Sequence, residues 1–185
     1  MKQRSTASSR PYVIEPMAEP SEHDNVLFPN PYEITAHAIA FAQMMFRHSS
    51  FELEVSLLQD AITKEEGFGE QRVNQWGARE RPERMVKLIE KYRGNACAET
   101  AQINKLLTDV IPLCEQRNFL AHGNWWCFNR RTLTIVVRGA TRWEHPEVPP
   151  EQREYTAPDI RAVAEKLATI EVELYKLRRN IEPPR

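Results

Sequence analysis

Residues 111–137 read IPLCEQRNFLAHGNWWCFNRRTLTIVV, and a change of period inside this stretch decides the fold. Up to His122, seam positions recur every three or four residues. Ile103, Leu107, Val110, Cys114, Arg117 and Ala121 lie along one face of a helical stretch from about Ala96 to His122. Pro112 falls inside it. Asp109 is placed to cap a restart whose first turn would tolerate the proline, so the spacing predicts a kink or a restart there. Gly123 is placed to end the helix as a left-handed cap. Beyond it, Trp125 to Phe128 and Leu133 to Val137 are rich in aromatic and β-branched residues, with a turn at 129–132. This predicts a β-hairpin over about 124–138.

The flanking sequence is helical on both sides. From Tyr32, apolar and near-apolar positions at Ile34, Ala38, Phe41, Met45, His48, Phe51, Val55, Leu58 and Ile62 predict a long amphipathic helix, or two nearly continuous ones, ending near Lys64. A polar loop follows at 65–79, whose Gly-x-Gly lacks the Lys and Ser/Thr of a phosphate loop. A shorter helix follows Pro82, with Met85, Leu88, Ile89 and Tyr92 on one face and Gly94 as its stop. After a proline-rich connector from Pro146 to Pro158, Ile160, Val163, Leu167, Ile170, Leu174, Leu177 and Ile181 make an unbroken seam. That seam can pack into a bundle or against a second copy of the chain. The expected fold is mainly all-α: a four- to five-helix bundle over residues 32–182, with a small hairpin inserted before the last helix. Residues 1–31 hold five prolines and no apolar period, so they read as a disordered or extended arm. Val26-Leu27-Phe28 is one of its short pieces able to dock on a partner.

Composition limits the function without naming it. In 185 residues, 25 Lys and Arg oppose 26 Asp and Glu, so no global field draws the chain to nucleic acid or membrane. Three cysteines without C-x-x-C spacing argue against a disulfide framework and fit a reducing, cytoplasmic setting. No apolar run approaches the roughly 20 residues of a membrane span.

Arg117 is the anomaly of the quoted stretch. It sits on an apolar seam, where a guanidinium costs several kcal/mol unless it is paired or faces a wet cleft, roughly as for any buried charge. His122 follows five residues later, about 140° around an ideal helix. The two can border one cleft if the last turn unwinds, or if a second chain completes the site. Arg, His and the amide of Asn118 are the right types for metal-free phosphodiester cleavage. Imidazole can take a proton from a ribose 2′-hydroxyl or give one to the leaving 5′-oxygen, and guanidinium can bind the charge gathering on phosphorus oxygens. The competing expectation is structural: Arg117 paired to a buried glutamate and His122 capping carbonyls.

The run Arg117-Asn118-Phe119-Leu120-Ala121-His122-Gly123 resembles the Arg-x4–6-His signature of the HEPN superfamily (higher-eukaryote and prokaryote nucleotide-binding domains). The resemblance implies a helical bundle that dimerises and brings both motifs into one cleft. It implies a metal-independent endoribonuclease, in toxin–antitoxin or defence systems, with an antitoxin or regulatory protein as a further partner. Carried over, Arg117 and His122 would be catalytic, with Asn118 positioning them or the phosphate. Other members of that superfamily are non-catalytic modules that bind RNA, nucleotide or protein. No metal and no cofactor are expected.

Charge patterning points the same way. Residues 116–143 contain Arg117, Arg130, Arg131, Arg138 and Arg142 and no acidic residue, interleaved with Trp125, Trp126, Phe128 and Trp143. Arg130, Arg131, Arg138 and Arg142 are therefore candidate contacts to single-stranded nucleic acid. The competing expectation is that the tryptophans are core and the arginines pair with acidic residues after Trp143. His37 and His48 read as core or interface histidines, and Cys114 and Cys127 as small buried residues. Glu52, Glu54 and Asp60 could present carboxylates into a bundle cleft, without the Glu-x-x-His pairs of a di-iron site.

Overall fold

A computed structural model describes residues 25–27, 29–63, 75–93, 99–139 and 149–181. Residues 65–74 of the polar loop, its Gly-x-Gly among them, the Gly94 stop, Cys97, Arg142 and Trp143 lie outside the described residues.

The chain is mainly helical. In order it contains β1 (Asn25–Leu27), α1 (Thr35–Thr63), α2 (Arg81–Arg93), α3 (Glu99–Asp109), α4 (Ile111–His122), β2 (Asn124–Asn129), β3 (Thr134–Arg138), β4 (Gln152–Thr156) and α5 (Ala157–Ile181). The two long helices, α1 and α5, pack along each other and form the spine of the bundle. All seven seam residues of α5 predicted from spacing are buried. They meet Ala40, Met44, Phe51, Val55, Leu58 and Ile62 of α1. Burying a Leu or Ile side chain stabilises by about 1.5–3 kcal/mol, so this seam is a main source of the fold's stability. No helix among the described residues is long and apolar enough to cross a membrane.

The restart near Pro112 is present, with α3 ending at Asp109 and α4 beginning at Ile111. The cap differs from the expectation. Val110 occupies the N-cap position without a side-chain hydrogen bond, and Pro112 falls in the first turn. Asp109 instead forms an ion pair with Lys105 one turn back, 2.5 Å away. Val110 is fully buried at that position.

The hairpin is larger than expected. β2 and β3 pair antiparallel with an irregularity between Trp125 and Cys127, but they form the centre of a four-stranded sheet ordered β1-β2-β3-β4. Two segments read as arm and connector are its edges. Val26 pairs with Phe128, so part of the N-terminal arm docks on its own domain. Tyr155 pairs with Ile135, so part of the proline-rich connector is a strand. Neither edge has an alternating apolar pattern: β1 is three residues long, and β4 offers only Tyr155 to the core. Pairing with a central strand supplies what local propensity lacks.

α5 begins with a reciprocal cap. The Thr156 backbone N–H donates to Asp159 Oδ2 at 2.8 Å, and the Asp159 N–H donates to Thr156 Oγ1 at 3.2 Å. The Thr156 hydroxyl also donates to Asp159 Oδ2, at 2.6 Å, and this bond foremost, then that from the Thr156 N–H, holds the Asp159 carboxyl below its ordinary range. The stabilisation is therefore present above the ordinary Asp pKa of about 4 and is lost as the pH falls through the lower folded value. Asp159→Ala is expected to cost about 1 kcal/mol in urea denaturation at neutral pH, shrinking in acid. An unchanged midpoint would show that the cap contributes nothing.

Candidate functional site

Three elements converge beside the helical core. α1 turns His48, Ser49, Glu52 and Ser56 to one side, an i, i+1, i+4, i+8 row on a helix that is otherwise rich in apolar residues. The start of α2 brings Arg81, with Trp76 just before it. α4 brings Cys114, Arg117 and Asn118. Together they line a cavity of about 800 Å³. This lies within the range of small-molecule sites, about 300–1,000 Å³.

Its electrostatics are set by two guanidinium groups and one carboxylate. The Arg81 side chain, 6% exposed, forms an ion pair with Glu52 at 2.6 Å. Arg117 is half-buried and donates from Nη1 to Asn118 Oδ1 at 2.8 Å. Among the described residues it has no ion pair. His48 Nε2 lies 3.5 Å from Glu52 Oε1 and 3.8 Å from Cys114 Sγ. Burial, then the charges of Arg117 and Arg81, push the His48 imidazole down to about 4. Burial likewise raises the Cys114 thiol and the Glu52 carboxyl, the latter opposed by Arg81. At neutral pH the histidine and the cysteine are both uncharged, and with Glu52 paired to Arg81 the guanidinium of Arg117 adds a positive charge to the cavity.

The depressed imidazole makes stability depend on pH. The unfolded chain takes up a proton at an ordinary pKa of about 6.5 that the folded chain refuses until about 4. This contribution is complete above the ordinary value and is lost as the pH falls toward the folded one. Going from pH 7 to pH 5 is expected to cost roughly 2 kcal/mol by this route. In His48→Gln that part of the acid slope should vanish; an unchanged slope would mean that His48 protonates freely in the folded protein.

The sequence-predicted residues separate into groups. Arg117 and Asn118 stand together on the cavity wall. His122 is exposed at the last position of α4 and is not among the residues lining the cavity. Helical bonding continues to the end of α4, where the Gly123 N–H donates to Phe119 O at 2.9 Å. The last turn thus remains wound, and the route by which unwinding would bring His122 beside Arg117 is not taken. Gly123 itself is extended, with φ −80° and ψ 158°, so it is not the left-handed cap expected. Its role is close approach: a Cβ there would lie 2.5 Å from Val137 Cγ1, 2.6 Å from Phe119 O and 2.9 Å from Arg138 O.

Among the described residues, Arg130 and Arg131 lie at one end of the hairpin and Arg138 at the other. Arg130 forms an ion pair with Glu33, with its Nε donating at 2.8 Å. The competing structural expectation placed its partner among the acidic residues after Trp143; Glu33 of the segment before α1 takes that role. Arg131 is exposed in the same turn. Arg138 lies at the other end of the hairpin, opposite Asn124, and stacks over Trp126 at 4.1 Å. About four or five residues of strand, roughly 15 Å, separate it from Arg130 and Arg131. Trp125 is half-buried against the core: it donates to Leu120 O at 3.0 Å and packs edge-on against Phe41. His37 is a core histidine, bonded to Leu133 O at 3.1 Å.

Glu52, Arg81, Trp76 and His48 are the site residues that sequence reasoning did not assemble. The polar row on α1 was the available signal for His48 and Glu52. Glu54, grouped with Glu52 from sequence, is instead held by Arg178 at 2.6 Å. Arg81 and Trp76 carry no local signal, since only packing brings the start of α2 to α1 and α4. Comparison with family models, curated proteins and solved structures finds no match to this chain.

Proposed function

We propose that this chain is an HEPN-like, metal-independent endoribonuclease that acts as a homodimer, with Arg117 of one subunit and His122 of the partner subunit bordering one cleft. The observation that carries the reading is the state of Arg117. A guanidinium placed on an apolar seam has a neutral amide as its partner and faces a cavity, where its fixed donors are available to a phosphate. The structural alternative required a carboxylate partner, and the carboxylate at hand, Glu52, is engaged by Arg81.

A second copy is supported by α1. Ile39, Phe46, Leu53 and Leu57 are exposed and fall within about 40° of one another around the helix, an apolar stripe opposite its buried face. Leu53 also lines the cavity, so the stripe runs to the mouth of the candidate site. In the proposed reaction the ribose 2′-hydroxyl attacks phosphorus and the 5′-oxygen leaves, forming a 2′,3′-cyclic phosphate. His122 moves a proton at one of these two oxygens, while Arg117 donates to the non-bridging phosphate oxygens.

The exposed position of His122 outside the cavity favours a second reading, a non-catalytic module that binds RNA or nucleotide through Arg117. Incubation with labelled total RNA in excess EDTA, followed by end-group analysis, separates the two. Cyclic phosphate ends support the enzyme. Salt-sensitive binding by a dimer that produces no fragments supports the module.

A further inference from the structure

The proposed cleavage moves two protons, one away from the 2′-hydroxyl and one onto the leaving 5′-oxygen, and His122 can serve only one of them at a time. The other group has to stand beside the bound phosphate and be able to accept a proton. Among the described residues that line the cavity with Arg117, His48 meets both conditions. Glu52 is engaged by Arg81 at 2.6 Å. Burial raises the Cys114 thiol, so it keeps its own proton. Burial, then the charges of Arg117 and Arg81, hold the His48 imidazole at about 4, so it is neutral at neutral pH. The surroundings of the ring also assign its lone pair. Glu52 Oε1 and Cys114 Sγ both lie at Nε2, 3.5 Å and 3.8 Å away. A carboxylate oxygen beside Nε2 favours the tautomer that carries its proton there, which leaves the lone pair on Nδ1. The side chain is 12% exposed and stands on the cavity wall with Ser49, Arg117 and Asn118.

We propose that His48 is the general base of this site, taking the proton from the ribose 2′-hydroxyl while His122 of the partner subunit protonates the leaving 5′-oxygen. The role rests on the ribonuclease reading and deepens it. His48 Nδ1 takes the hydroxyl proton, the electron pair left on the 2′-oxygen forms the bond to phosphorus, and the bond from phosphorus to the 5′-oxygen breaks. That oxygen takes its proton from the His122 imidazolium, so the products are a 2′,3′-cyclic phosphate and a 5′-hydroxyl. Substrate binding itself favours the first transfer. The groups facing His48 are Glu52 on its own helix, Arg81 at the start of α2, and Cys114 and Arg117 on α4. After burial, the two guanidinium charges are what oppose an imidazolium there, and a phosphate held by Arg117 offsets them. The imidazole therefore becomes more basic once RNA is in place.

The test compares cleavage of an ordinary RNA with that of an RNA carrying sulfur in place of the leaving 5′-oxygen, a group that departs without a proton. His48→Gln is expected to lower cleavage of both by about 10²–10⁴-fold, because each still needs its 2′-hydroxyl deprotonated. His122→Ala should lose activity on the ordinary RNA and recover most of it on the sulfur substrate. In His48→Ala, imidazole added to the medium should restore cleavage in proportion to its neutral fraction, a recovery that a merely structural role would not give. Thermal melts check that each variant folds. Cleavage by folded His48→Gln within about threefold of the wild type would overturn the role. So would recovery of that variant on the sulfur substrate, or indifference of folded His48→Ala to imidazole. A wild type that cleaves neither RNA would remove the ribonuclease reading and this role with it, whereas a loss confined to His122→Ala would remove the role alone.

Discussion

Alanine at His122 is expected to lower RNA cleavage by about 10²–10⁴-fold, the range for removing a general acid or base. The same change should leave stability within about 0.5 kcal/mol, because the side chain is exposed at a helix end. Arg117→Ala is expected to cost about 10²–10³-fold, the loss seen when one donor to a developing oxyanion is removed. Its effect on stability decides between enzyme and scaffold. Were Arg117 half of a buried ion pair, its removal would strand a carboxylate and cost about 3–5 kcal/mol. With Asn118 as its hydrogen-bond partner, the cost should stay near 1 kcal/mol, the value of an ordinary hydrogen bond. Urea denaturation and cleavage rates measured on the same two variants give both numbers. A large stability loss for Arg117→Ala would return that residue to a structural role.

Gly123→Ala is expected to destabilise the fold by about 3 kcal/mol or more, at the upper end of overpacking effects. The added methyl would meet Val137 Cγ1 at 2.5 Å and two backbone carbonyl oxygens, Phe119 O and Arg138 O. A side-chain methyl can swing aside, but the carbonyls belong to α4 and β3. Relief therefore requires the sheet to move off the end of the helix. That movement would also displace His122, one residue before the glycine, so cleavage and stability should fall together in this variant. Their joint loss contrasts with His122→Ala, where cleavage falls alone. A Gly123→Ala protein as stable as the wild type would mean that the helix-to-strand junction is loosely packed.

Much of this architecture could be read from residue spacing, and the exceptions have physical causes. The α5 seam is legible because seven apolar residues repeat at helical spacing and each is buried. The central hairpin is legible because β-branched and aromatic residues cluster around a polar turn. β1 and β4 were not legible, since an edge strand needs only backbone partners and can be built from Asn-Val-Leu or Gln-Arg-Glu-Tyr-Thr. Gly123 is marked by the sequence as a helix-ending glycine, but close approach of the Phe119 and Arg138 carbonyl oxygens, not backbone handedness, demands it. Arg117 was conspicuous because it interrupts a seam. His48 was hidden for the opposite reason, as a histidine at a seam position passes for core. Arg81 and Trp76 come to the cavity only through tertiary packing, which no local pattern reports.

The proposed site is shared between two subunits, and subunit complementation tests that most directly. Arg117→Ala and His122→Ala proteins, each inactive as a homodimer, would be mixed under conditions that exchange subunits and then assayed with labelled RNA in EDTA. In a mixed dimer, the wild-type Arg117 of one chain faces the wild-type His122 of the partner subunit, so one complete site forms. Recovery of cleavage to a substantial fraction of the wild-type rate, with 2′,3′-cyclic phosphate ends, is the predicted result. Mixed dimers, verified by differential tagging, that stay as inactive as their parents while the wild type cleaves would contradict it.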